Sequence, residues 1–188
     1  MLASSSRYRK DVLARLGMPF LVDIPEIDEQ AAPGEAPESM VRRLAVAKAV
    51  AVGARHSHAL VVGSDQAAIY DGVVVGKPGD HASARAQLRR ISGKVALLLT
   101  GIALFDTDSG RVQADVVPFR VVFRTLNDAQ IDRYLERERP FDCAGSVKSE
   151  GLGIALLERF DGADPTALIG LPLIRLVAML EQEGMAPL

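Results

Sequence analysis

The stretch Pro37 to Asp65, PESMVRRLAVAKAVAVGARHSHALVVGSD, contains the change of period on which the fold turns. From Pro37 to Arg55 apolar residues recur at helical spacing, at Met40, Val41, Leu44 and Ala47, and proline with Glu38 suits a first helical turn. From Ala59 the pattern becomes a short β-rich apolar run closed by Ser64 and Asp65, as in a buried strand that delivers a functional group at its end. Asp65 is that group, and Lys48 lies one turn after Leu44 in the preceding helix.

Working outward, the alternation continues and predicts an α/β fold. Asp80 can cap a helix carrying Ala84, Leu88 and Ile91, which Ser92-Gly93 stops. Two long β-rich segments, about 95–105 and 111–124, are joined by a hairpin at Asp106-Thr107-Asp108-Ser109-Gly110. Asn127 caps a charged helix through Glu138 whose buried stripe is Ile131, Tyr134 and Leu135. A last helix spans about Leu171 to Gln182, with Pro172 in its first turn. No repeat or linker divides the chain, so residues 1–188 are expected to form one domain, built as two lobes with a cleft between.

The chain can bury a sizeable core, with 188 residues of which 48% are hydrophobic. Its 22 basic and 24 acidic residues leave a formal charge of −2, which gives no global footprint for nucleic acid or anionic lipid. One cysteine excludes an internal disulfide and fits a reducing compartment, so a cytoplasmic protein is expected. The start MLASSSRYRK has no apolar core of a leader, and runs such as VALLL are far shorter than a membrane span.

Three motifs fall short of chemistry. Gly72-Val73-Val74-Val75-Gly76-Lys77-Pro78 has three residues between its glycines where a phosphate loop has four, and proline replaces the magnesium-binding Ser or Thr. His56 and His58 read as a solvated loop, with no cysteine or carboxylate cluster nearby to complete a zinc site. Cys143 lacks a histidine partner and reads as a small core residue.

The remaining candidates are charges in apolar or glycine-rich surroundings. Arg9 and Lys10 follow a serine run, and Asp28 and Glu29 follow Pro25-Glu26-Ile27. Lys77 lies between glycine and proline, and Lys148 and Glu150 belong to the segment CAGSVKSEGLGI, residues 143–154. Each alone reads as a surface charge. Together, carboxylates that hold a hard divalent cation and cations that neutralise phosphate oxygens suit metal-assisted cleavage of a phosphoanhydride.

Their arrangement resembles the Maf-like nucleotide pyrophosphatases over nearly the whole chain. The matching blocks are Leu2-Ala3-Ser4-Ser5-Ser6 with Arg9-Lys10, Pro25-Glu26-Ile27-Asp28-Glu29, Arg43-Leu44-Ala45 with Lys48-Ala49, Gly63-Ser64-Asp65-Gln66 and Gly76-Lys77-Pro78. Ser92-Gly93, Thr100-Gly101, residues 143–154 and Ile169-Gly170-Leu171-Pro172-Leu173 complete them. Gly-Ser-Asp-Gln and Gly-Ser-Val-Lys-Ser-Glu-Gly look like the branch acting on 7-methyl-GTP, although Tyr8 stands where that branch often has tryptophan and Lys10 where it has arginine. The resemblance implies a mixed twisted sheet flanked by helices, as in the inosine triphosphate pyrophosphatase-like folds.

It also implies hydrolysis between the α and β phosphates with Mg2+ or Mn2+. Asp65 would be the catalytic base, Glu29 its partner at the metal, and Arg9, Lys10, Lys48, Lys77 and Lys148 would hold phosphates, helped by Ser4 and Ser6. The serines equally suit a polar strand-to-helix turn. N7-methylation makes guanine cationic, so the face of Tyr8 would attract it by about 0.5–2 kcal/mol; the alternative for Tyr8 is an aromatic at a helix start packing on the core. Glu150 would accept paired hydrogen bonds from the guanine edge, with Gln66 in support. A homodimer fits the resemblance. Two other functions remain: hydrolysis of dTTP, UTP or another modified nucleotide, and nucleotide-binding regulation of septum formation.

Overall fold

A computed structural model describes residues 1–188. Seven strands form one mixed sheet with five α-helices. The strands are β1 (Leu2–Ala3), β2 (Val22–Asp23), β3 (Leu60–Tyr70), β4 (Val73–Val75), β5 (Val95–Asp106), β6 (Val112–Phe123) and β7 (Leu157–Asp161). The sheet order is β2-β1-β3-β5-β6-β7, with β4 beside β3. β1 runs parallel to both neighbours, in register Leu2 with Val22 and Val62, whereas β4 and β7 pair antiparallel with β3 and β6. The helices are α1 (Arg7–Ala14), α2 (Pro37–Gly53), α3 (His81–Ile91), α4 (Asp128–Glu138) and α5 (Leu173–Gln182).

The chain divides into two compact units. The first comprises residues 1–66, 100–117 and 164–188, and the second residues 67–99 and 118–163. In the first, Leu2, Val62, Ile102 and Leu104 pack with Val12 of α1 and with Leu176 and Met179 of α5. Ala45, Ala49 and Val52 of α2 pack with Ala3, Val61 and Ala103. Two glycines set how closely α2 approaches its strands. A Cβ at Gly63 would lie 2.1 Å from the carbonyl oxygen of Ala45, and one at Gly101 2.1 Å from that of Val41, so any larger residue would push the helix off the sheet.

The local signals account for most elements. Asp80 accepts the amide of Ser83 at the head of α3, and Asn127 with Gln130 forms a full capping box on α4. Two elements differ from expectation. The strand expected to end at Asp65 continues to Tyr70 and turns into β4 through Asp71 and Gly72, both at positive φ. It continues because its polar residues find partners within the sheet layers: the Ser64 hydroxyl donates to a main-chain carbonyl and Asp65 accepts from Lys48. The last helix begins at Leu173, after a 3₁₀ turn over Pro165–Ile169, because Thr166 Oγ1 accepts the Leu173 amide and Asp164 Oδ2 that of Ile174.

Candidate active site

In the first unit α2 brings Lys48 onto β3. Lys48 is 4% exposed and Asp65 8%. The Lys48 ammonium donates to Asp65 Oδ1 at 2.8 Å and to Glu29 Oε2 at 2.9 Å. Asp65 is the sixth of eleven strand residues, so the feature that presents it is the facing helix and not a strand end. Glu29 reaches in from an extended loop with its side chain 56% exposed. That loop is tied to α2 by Arg43, which donates to the Gln30 carbonyl at 3.0 Å and through two nitrogens to Glu35, whose Oε2 also accepts the Ala32 amide.

Arg9, in the first turn of α1, adds a second cation. Its Nε donates to the Gly170 carbonyl at 2.8 Å, burial draws its guanidinium below the usual arginine value, and Asp65 and Glu29 oppose that shift. The same carbonyl accepts from the Ser64 hydroxyl at 2.8 Å. Gly170 carries a φ of 102°, a conformation that glycine adopts without strain. Gln66 lies alongside, its Nε2 donating to Ala167 O at 2.7 Å and to Thr100 Oγ1 at 3.0 Å. Ser6 caps α1 by accepting the Arg9 amide, and Ser4 Oγ accepts the Ser6 amide at 3.1 Å, so both hydroxyl oxygens serve the strand-to-helix turn. Tyr8 is half buried and not part of the core; the Arg7 guanidinium lies 4.8 Å from its ring centroid. Lys10 is exposed.

Two carboxylates and two cations make this cluster formally neutral. Lys48 takes one oxygen of each carboxylate, leaving Glu29 Oε1 and Asp65 Oδ2 with no donor from the protein. A triphosphate would bring several further negative charges to a neutral cluster, and a divalent cation answers that demand. Magnesium commonly takes one or two carboxylates and completes its shell with water and substrate phosphates, and this donor set fits that habit. No group of three or more His, Cys, Asp or Glu residues forms a metal cage in the protein alone.

In the second unit, Lys77 is exposed in the loop after β4. Lys148 Nζ donates to Glu138 Oε1 at 2.9 Å, and Glu150 is exposed. Cys143 is half exposed, not a core residue, because it stands at the head of a 3₁₀ turn over Ala144–Ser146. His56 is no free loop residue either, since its Nε2 lies 2.8 Å from Asp23 Oδ2.

The family model for Maf-like proteins matches residues 1–183. The chain belongs to the Maf-like family. Among Maf-like relatives, a protein of Nitrosococcus oceani is 53% identical over 184 residues, covering 98% of this chain and 92% of its own length. One of Pseudomonas aeruginosa is 52% identical, with 98% and 96% covered, and one of Ralstonia nicotianae is 53% identical over 180 residues, with 96% and 93% covered. All three are named 7-methyl-GTP pyrophosphatase.

Of the residues singled out from the Maf-like sequence, the fold bonds Glu29 and Asp65 through Lys48, sets Arg9 within reach of their charge on the Gly170 carbonyl, and places Ser4, Ser6 and Gln66 on the elements that carry them. Lys77, Lys148 and Glu150 belong to the second unit. Sequence reasoning gave no role to Arg43, Ser64, Thr100, Tyr134 or Glu138. The first three fall inside the matching blocks, which was a usable signal. Tyr134 and Glu138 read only as a core aromatic and a solvated helix charge.

Proposed function

We propose that this chain hydrolyses 7-methyl-GTP to 7-methyl-GMP and pyrophosphate. The observation that carries the chemistry is Lys48 bonded at once to Glu29 and Asp65 beside Arg9. Asp65 Oδ2, without a protein donor, accepts a proton from the attacking water. The water oxygen bonds to the α phosphorus, the bond from that phosphorus to the α,β-bridging oxygen breaks, and pyrophosphate leaves with the bridging oxygen. Arg9, Lys10, Lys48, Lys77 and Lys148 oppose the charge that gathers on the phosphates, and Ser4 and Ser6 hydroxyls can still donate to them. Glu29 and Asp65 would hold a Mg2+ or Mn2+, which would supply Lewis acidity and neutralise phosphate charge.

For the base, the names carried by relatives at 52–53% identity support 7-methylguanine. The face of Tyr8 already takes a cation, Arg7, which is the interaction a methylated guanine would make. Glu150 presents a carboxylate to the guanine edge. Gln66 has its amide nitrogen engaged by carbonyls, so its part in specificity is to hold the 167–168 main chain and offer Oε1. The proposed setting is the cytoplasm, as a homodimer, which sedimentation of the purified protein checks.

Incubation with magnesium or manganese and a panel of 7-methyl-GTP, GTP, dTTP and UTP tests the function, with pyrophosphate measured separately from orthophosphate. Pyrophosphate is expected in preference from 7-methyl-GTP. A preference for dTTP or UTP would move the activity to another nucleotide, and no pyrophosphate from any member would leave only nucleotide binding.

A further inference from the structure

The segment carrying Glu150 is gripped from beneath by one face of α4. Tyr134 and Glu138 are four residues apart and so lie on the same helical face. The Tyr134 hydroxyl donates to the Ser146 carbonyl at 3.2 Å and accepts the Lys148 amide at 3.0 Å. Glu138 takes Lys148 Nζ on Oε1 at 2.9 Å and the Leu152 amide on Oε2 at 2.7 Å. Upstream, the Tyr70 hydroxyl donates to the Gly145 carbonyl at 2.6 Å, and Ser146, at a φ of 60°, bonds Gln87. The glycines make the fit possible. A Cβ at Gly151 would lie 2.7 Å from Glu138 Oε2, and one at Gly153 would lie 2.3 Å from the Lys148 carbonyl oxygen.

Between Gly145 and Gly153, Glu150 alone is exposed. Its flanks are thus fixed at Lys148 and Leu152 by one carboxylate, while its own exposed side chain takes only the Ser149 hydroxyl, on Oε2 at 3.4 Å. The Lys148 hydrogen bond holds the Glu138 carboxyl below the ordinary glutamate value against the opposing effect of burial.

We propose that Glu138, with Tyr134, is a positioning pair that aims Glu150 and thereby sets base preference without touching the nucleotide. This rests on the reading of Glu150 given above. A carboxylate held on both sides presents its oxygens in one arrangement, whereas a loose one must be ordered by the base at the cost of affinity.

The test combines amide hydrogen exchange of the nucleotide-free protein with kcat and KM for 7-methyl-GTP and UTP. Glu138→Ala should speed exchange at Leu152, whose amide loses its acceptor, and Tyr134→Phe should do the same at Lys148. Glu138→Ala should also raise KM for 7-methyl-GTP about tenfold relative to that for UTP, as expected for losing hydrogen bonds to a charged group, since any change in KM from freeing the Lys148 ammonium is shared by both triphosphates. Glu138→Gln, which keeps an acceptor for the Leu152 amide, should recover part of the preference. Unchanged exchange in Glu138→Ala overturns the proposal, and so does an equal loss of kcat on both nucleotides, which marks a merely structural role. Glu150→Gln, measured alongside, separates the two readings. If it shifts the preference and Glu138→Ala does not, the positioning role alone fails; if it too leaves the preference unchanged, base reading by Glu150 fails and takes this inference with it.

Discussion

At the scale of single residues, the cluster around Lys48 separates stability from chemistry. Lys48 and Asp65 are both buried, so Lys48→Met strands a carboxylate away from water, a change that costs about 3–5 kcal/mol in buried pairs. Glu29 is more than half exposed, and Glu29→Gln should leave the melting temperature nearly unchanged while lowering turnover. Asp65→Asn keeps the shape and an acceptor for Lys48 but removes the base, so turnover should vanish from a folded protein. Calorimetry beside pyrophosphate release checks all three. A folded, fully active Asp65→Asn would remove Asp65 from the chemistry.

At the scale of elements, the loop that delivers Glu29 depends on its strap to α2. Arg43 and the Ala32 amide lower the Glu35 carboxyl from an ordinary 4.5 to about 2. A lowered folded value means that the strap is at full strength above the ordinary pKa and is lost as pH falls through about 2. Glu35 should therefore titrate near 2 by NMR in the wild type and return toward 4.5 in Arg43→Ala. With the strap gone Glu29 keeps only its bond to Lys48, and turnover should fall roughly tenfold through lost positioning. An unshifted Glu35 titration in Arg43→Ala would show that Arg43 is not what holds the loop. Elements such as α2, α3 and α4 were legible because their signals are local, a first-turn proline with a helical period in α2 and capping side chains in α3 and α4. The far half of β3 was not, since past Asp65 it is held by the bond from Gln66 to Ala167, 101 residues on, and by antiparallel pairing of Ala68–Tyr70 with the short β4. β7, with sequence LERFD, has too little apolar pattern to announce a strand. The site was legible where blocks of residue types recur in order, as at Gly63 to Gln66, and hidden where a single charge such as Glu138 acts through a backbone amide.

At the scale of the whole molecule, charge decides how ligand and metal cooperate. The chain is nearly neutral, and so is the Arg9, Glu29, Lys48 and Asp65 group, so neither supplies surplus positive charge to draw in a bare triphosphate. Magnesium alone meets two carboxylates already bridged by an ammonium, and nucleotide alone meets two uncompensated carboxylate oxygens. Each should bind weakly without the other, and each should strengthen the other by the same factor. A non-hydrolysable α,β-methylene analogue of 7-methyl-GTP permits the measurement without turnover. At a hundredfold excess over its dissociation constant with magnesium present, the analogue should stabilise the fold by about 2.7 kcal/mol. For a chain of this size that raises the melting temperature by roughly 5–11 °C. Magnesium or analogue singly should give shifts whose sum falls well short of the joint one. In Lys48→Met the ammonium no longer fills the space between the carboxylates, so magnesium alone should bind more tightly than in the wild type, relative to each protein's own baseline. Additive shifts, or a Lys48→Met variant no better at binding magnesium, would mean that ammonium and metal do not share the two carboxylates.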